Sequence, residues 1–187
     1  MLIVGVGGQG TILASRILGE LFLGQDYDVK ISEIHGMSQR GGSVVTQVRF
    51  AHKDQQIASP IIEQGTADII LAFEKLEALR YLSWLKKDGI MIINDQRIDP
   101  MPVVTGAVSY PEGITEQLSA AGRLIVVDAL QKAEQAGNSK SVNVVLLGVL
   151  SNHLDISEPD WFAALSAAVA PRFFDVNMRA FALGRES

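Results

Sequence analysis

The chain opens on an unbroken apolar run, Leu2 to Val6, rich in β-branched residues and ended by glycines. A strand buried on both faces reads this way. From Gln9 the period changes: Ile12, Leu13, Ile17, Leu18, Leu21 and Phe22 recur at helical spacing, with Gly24 as the stop. Val29 to Ile34 alternates as a second strand, so the opening reads as a βαβ unit. Ser43 to Phe50 alternates again. With a polar turn and a short partner near Ile57 it predicts a hairpin, bringing antiparallel character into the sheet. Ala67 to Phe73 is a further buried strand, Glu74 to Leu85 an amphipathic helix, and a turn at Asp88-Gly89 leads into a strand ending near Asn94.

The stretch from Asp95 to Gly106 carries Pro100 and Pro102 and reads as a loop with short extended pieces. Pro111 to Gly122 predicts a helix, Arg123 onward a strand, and Leu130 to Gly137 a short helix. Ser141 to Leu154 is an almost wholly apolar helix suited to deep packing. Two more helices follow, the first capped at Ser157 or Asp160. Strands alternating with helices predict the α/β class. The expected architecture is a Rossmann-like, doubly wound, mostly parallel sheet with helices on both faces and a helical C-terminal part. The length of 187 residues fits one domain.

Composition narrows the chemistry. The formal net charge is -5 and basic residues are scattered, so no nucleic-acid partner is expected. No apolar run approaches the ~18 residues of a membrane span, and the N-terminus lacks a basic signal-peptide region, so no membrane association is expected. The chain has no cysteine, which removes disulfides, thiolate zinc sites and cysteine-held iron–sulfur clusters and fits a reducing cytoplasm.

The first glycine cluster, Gly5-Val6-Gly7-Gly8-Gln9-Gly10, matches the dinucleotide fingerprint. A glycine turn leaving a strand brings backbone close to a pyrophosphate, and the helix start that follows offers free N–H groups and a positive dipole end. Glu33 follows near the ~20-residue distance at which an acid holds a ribose. The same glycines also let a helix pack tightly on a strand with no nucleotide, and the extra Gly8 and the Gln9 amide depart from a standard pyrophosphate loop. The second cluster, Glu33 to Val44, holds His35, Met37, Gln39 and Arg40 between Gly36 and the Gly41-Gly42 pair. It follows the second strand and so belongs at the same carboxyl edge, where Arg40 is placed to hold a carboxylate or phosphate. No catalytic constellation accompanies these loops: there is no G-x-S-x-G elbow, no H-E-x-x-H and no Walker lysine.

Taken together the two clusters resemble the gamma subunit or domain family of the 2-oxoacid:ferredoxin oxidoreductases. The family's G-x-G-G-Q-G falls on Gly5, Gly7, Gly8, Gln9 and Gly10. Its second motif falls on Met37, Gln39, Arg40, Gly41, Gly42 and Val44, and the Asn-led apolar helix on Ser141 to Leu150. His35-Gly36 before Met37 is similar to the indolepyruvate branch. The resemblance implies one gamma-type domain over residues 1–187 and membership of a complex that decarboxylates a 2-oxoacid on thiamine diphosphate. Electrons then pass through iron–sulfur clusters to ferredoxin, and an acyl-CoA forms. It implies a large thiamine- and cluster-binding partner subunit, a chain inactive alone with no bound cofactor of its own, and Gly7, Gly8, Gln9, Gly10, Glu33, His35, Met37, Gln39, Arg40, Gly41 and Gly42 as residues of ligand- or partner-facing loops. Two other readings stay open: a free-standing NAD- or FAD-binding protein, and a non-enzymatic scaffold that forms a homodimer through this edge.

Overall fold

The computed structural model describes residues 1–36 and 41–187. Six strands form one sheet in the order β2-β3-β1-β4-β5-β6: β1 (Leu2–Val6), β2 (Tyr27–His35), β3 (Ser43–His52), β4 (Ala67–Ala72), β5 (Leu85–Asn94) and β6 (Arg123–Val127). β1, β4, β5 and β6 pair parallel, and β3 pairs antiparallel with both β1 and β2. β3 alone therefore runs against the others. The helices are α1 (Thr11–Gly24), α2 (Lys75–Arg80), α3 (Met101–Val104), α4 (Ile114–Ala121), α5 (Ala129–Ala136), α6 (Val142–Ser151), α7 (Glu158–Ala168) and α8 (Phe174–Arg185).

Side chains alternate across the strands and divide the core in two. Ile3, Ile69, Leu71 and Ile92 pack against residues of α1, α5, α6, α7 and α8. Leu2, Val4, Ile70, Ala72, Met91 and Ile93 pack against α2 and α4 on the other face. The α/β class, the predominance of parallel pairing and the helices on both faces agree with the sequence reading. No helix among the described residues is long and apolar enough to cross a membrane.

Four local expectations are corrected. The antiparallel partners of Ser43–His52 are β2 and β1, not a strand near Ile57. The backbone there is tied by side chains instead, with Ile57 N donating to Asp28 and Ile62 N to Gln47. β1 and β2 also do not adjoin as in a simple βαβ unit, because β3 lies between them. The middle of β3 is buried on both faces while much of β2 is exposed, so β3 takes the interior position. Lastly, the proline stretch holds the short helix α3 with Pro102 in its first turn, where a missing N–H costs nothing. The helix predicted over Glu74–Leu85 is shorter as well: it ends at Arg80 and a 3₁₀ turn, Leu82–Trp84, follows.

The C-terminal layer rests on one close crossing. α6 is buried from Asn143 to Ser151 and packs on α8. The Cα atoms of Gly148 and Gly184 face each other, and a methyl at Gly148 would lie 2.2 Å from the Phe181 carbonyl oxygen. Glycine here serves helix contact and not a turn.

Candidate functional site

The carboxyl ends of β1 and β4 mark the point where the chain reverses its direction of travel across the sheet. In open α/β sheets this crevice receives ligands. Here the Gln9 side chain spans it. Gln9 Oε1 accepts from Val6 N at 2.7 Å, while Nε2 donates to the Phe73 carbonyl and to Gln96 Oε1, both at 3.0 Å. Asn94, buried at the end of β5, donates to the same Phe73 carbonyl and Gln96 oxygen and accepts from Ala129 N. A side chain at Gly5 would crowd this junction, since a Cβ would sit 2.9 Å from Gln9 Oε1 and 3.0 Å from Phe73 Cβ.

Gly10 adopts a φ of 85° as the N-cap of α1, and a Cβ there would meet Asn143 Nδ2 at 2.8 Å. That amide donates to the Gly10 carbonyl at 3.2 Å, so the head of α6 fixes the start of α1. α1 has no side-chain cap and no acid in its first turn. Its leading N–H groups are thus left for water or an anion. Gly8, with a φ of 103°, has open space where a side chain would be.

The two glycine clusters meet. Gly7 N donates to the Gly42 carbonyl at 2.8 Å, and Gly41 N approaches the Gly7 carbonyl at 3.5 Å. Gly7, Gly8, Gly10, Glu33 and His35 line one cleft of about 480 Å³ with Thr11, Ile12 and Val44. Glu33 accepts from Thr46 Oγ1 at 3.3 Å, and His35 Nδ1 lies 3.1 Å from the Gly36 carbonyl oxygen. Gln9 does not line this cleft; its amide turns inward to the strand ends. Met37, Gln39 and Arg40 lie outside the described residues.

Sequence reasoning missed a second layer beneath the loop. Ser43, directly after Gly42, donates to Glu77 Oε2 at 2.5 Å, and Arg80 Nε is 3.6 Å from Oε1 of the same carboxylate. Glu77 is 4% exposed. Burial raises its carboxyl above the ordinary range, with the Ser43 hydrogen bond and Arg80 opposing. Glu74, also buried, caps α2 through Glu77 N and accepts from Ile98 N and the Tyr110 hydroxyl. Burial and that hydrogen bond to Glu74 hold the Tyr110 hydroxyl protonated far above the usual phenol range. The available signal was two carboxylates three apart, Glu74 and Glu77, on a predicted amphipathic helix that starts at a strand's carboxyl end.

The cleft therefore offers an uncapped helix start and glycine backbone on one wall, and a carboxylate and an imidazole on the other. This set can hold an anion and hydroxyl groups. It does not supply cluster ligands, since the chain has no cysteine, and among the described residues no three His, Asp or Glu gather to hold a metal ion.

Against this geometry the comparisons are specific. The chain is 41% identical to the indolepyruvate oxidoreductase subunit IorB of Thermococcus kodakarensis, over 98% of this chain and 93% of that protein. Its fold is similar to the keto/oxoacid ferredoxin oxidoreductase gamma subunit from Geobacter sulfurreducens (TM-score 0.72, 21% identity, 99% of this chain and 95% of that one). It is similar too to part of the 2-oxoglutarate:ferredoxin oxidoreductase of Magnetococcus marinus, with a TM-score of 0.74 at 20% identity, covering 99% of this chain and 30% of that longer one. A family model described as pyruvate ferredoxin/flavodoxin oxidoreductase matches residues 1–187, and the chain belongs to that family.

Proposed function

We propose that this chain is the small, gamma-type subunit of an indolepyruvate-type 2-oxoacid:ferredoxin oxidoreductase and is inactive by itself. The observation that carries the reading is the direct bond between the two glycine clusters, Gly7 N to the Gly42 carbonyl. It joins the two motifs into one edge, as a shared binding or docking role requires. The extent of identity to an indolepyruvate oxidoreductase subunit favours aryl pyruvates as substrates.

Thiamine diphosphate in such a complex supplies an electron sink for decarboxylation. The absence of cysteine, and of any three His, Asp or Glu gathered to hold a metal ion among the described residues, supports placing thiamine diphosphate and the iron–sulfur clusters on a large partner subunit, with ferredoxin reached through it. Coenzyme A fits better. The uncapped start of α1 suits a phosphate, and Glu33 across the cleft suits sugar hydroxyls. In this reading Gly7, Gly8, Gly10, Glu33 and His35 orient the incoming thiol carrier, Arg40 binds an anionic group, and Gln9 keeps the loop in place. Exposed Ile12 at the cleft, and Ile31 on the same face of β2 as Glu33, leave apolar surface for the large subunit to cover.

The test is reconstitution. The purified chain alone should carry no thiamine or clusters and reduce no ferredoxin. Co-expressed with a thiamine-binding large subunit it should support indolepyruvate-dependent, coenzyme A-dependent ferredoxin reduction, and Arg40→Ala in that complex should raise the KM for coenzyme A. A reconstituted pair with no 2-oxoacid activity would sink the proposal. Glu33 facing the glycine loop also favours a second reading, NAD or FAD binding, although Gln9 bridges the crevice a dinucleotide would enter. Micromolar cofactor binding to the isolated chain by calorimetry, lost in Glu33→Ala, would establish that reading instead.

A further inference from the structure

A second groove, of about 530 Å³, lies between α8 and the head of α6 and shares no lining residue with the Glu33 cleft. Lys140 and Arg179 line it, and no acidic residue does. Neither cation enters an ion pair among the described residues, and Asp175, one turn before Arg179, does not pair with it. Arg179 Nε donates to the Ala136 carbonyl at 3.0 Å, which fixes the guanidinium at the groove while its other N–H groups find no acceptor among the described residues. Ser141 lines the same groove, is 1% exposed, and its Oγ has no hydrogen-bond partner among the described residues. A buried hydroxyl without a partner costs free energy comparable to a lost hydrogen bond, so its retention calls for an explanation. Val169, Phe173 and Val176 form an apolar wall, and the Phe173 ring is partly exposed.

We propose that this groove binds a small phosphate ester, with the phosphate held by Lys140, Arg179 and the Ser141 hydroxyl and the organic part lying on Phe173. Two unpaired cations of different reach suit a multi-oxygen anion: the guanidinium offers paired N–H donors and the ammonium a point charge. The serine hydroxyl then gains the partner it lacks. The apolar wall distinguishes this site from one for a bare inorganic ion, because an aromatic or aliphatic group adds buried area and stacking.

The probes are phenyl phosphate and inorganic phosphate, titrated against the full-length chain by calorimetry, with amide chemical-shift mapping to locate them. Phenyl phosphate should bind several-fold tighter than inorganic phosphate, and shifts should centre on residues 137–143 and 169–179. The double variant Lys140→Ala, Arg179→Ala changes two exposed side chains and so keeps the fold; it should weaken binding about tenfold or more. Ser141→Ala should weaken binding while leaving the thermal midpoint unchanged or raised, since it deletes an unpartnered hydroxyl. Glu33→Ala should leave binding unchanged. Binding that is absent at about 10 mM probe, corresponding to affinities too weak for a built site, would overturn the proposal. So would binding unaltered in the double variant, or shifts centred on the Gly7–Glu33 cleft.

Discussion

Glycine does opposite work in two regions of this protein. At Gly148 and Gly184 it removes side chains so that α6 and α8 touch along their backbones, deep in the larger core. In the first loop it sets backbone conformation: Gly8 and Gly10 have φ values of 103° and 85°, and Gly8 borders open space. The helix crossing is held by dispersion and burial, which tolerate no added volume. The loop is held by side-chain amides, Gln9, Gln96 and Asn143, whose hydrogen bonds fix a backbone that no core encloses. A packed glycine therefore governs whether the protein folds, and a loop glycine governs what its edge presents.

Substitutions can break this contrast in order of effect. Gly148→Ala places a methyl 2.2 Å from a carbonyl oxygen. It should cost about 3 kcal/mol or more, measured as a lower urea midpoint, with the two helices forced apart. Gln9→Ala removes the acceptor for Val6 N and the donor to Phe73 and should cost about 1–3 kcal/mol. In the reconstituted complex it should reduce turnover more than its stability loss explains, because the loop is displaced. Gly8→Ala meets no atoms but keeps an unfavourable φ, so the loss should be about 1–2 kcal/mol, with turnover as the discriminating readout. A larger stability loss at Gly8 than at Gly148 would invert the comparison.

The smallest effect is a pH dependence. The folded Glu77 carboxyl titrates above its unfolded value, so the native state binds the extra proton. Stability contributed by this group is present at low pH and falls as pH rises from the ordinary glutamate range through the raised folded value. Glu77→Gln keeps an acceptor for Ser43 and removes the charge. Its stability relative to the parent should therefore improve as pH rises through that window, measured by denaturation at several pH values. A difference flat in pH would show that Glu77 does not titrate there.

Much of the loop chemistry was legible because it is local. Gly5, Gly7, Gly8 and Gly10 follow one another closely along the chain, and the helical period begins just after them. Strand order places that loop and Gly41-Gly42 at one carboxyl edge, the family resemblance pairs their motifs, and the Gly7–Gly42 bond gives the pairing a physical basis. Gln9 was read as a loop residue facing a ligand or partner, whereas its side chain locks two strand ends. Nothing in its neighbours announces Phe73 and Gln96, which reach it from distant parts of the chain. Glu77 was hidden for the same reason: its partner Ser43 comes from another strand.

The sequence by itself determined the elements, the α/β class and the glycine-bearing edge, since periodicity, capping and turn chemistry act over a few residues. It also determined that this chain has no thiolate to offer an iron–sulfur cluster, because it has no cysteine. Tertiary structure alone decided that β3 enters between β1 and β2, that Gln9 closes the crevice at the strand ends, and that Gly148 meets Gly184. These depend on which distant surfaces bury each other best, and local pattern carries no record of that competition.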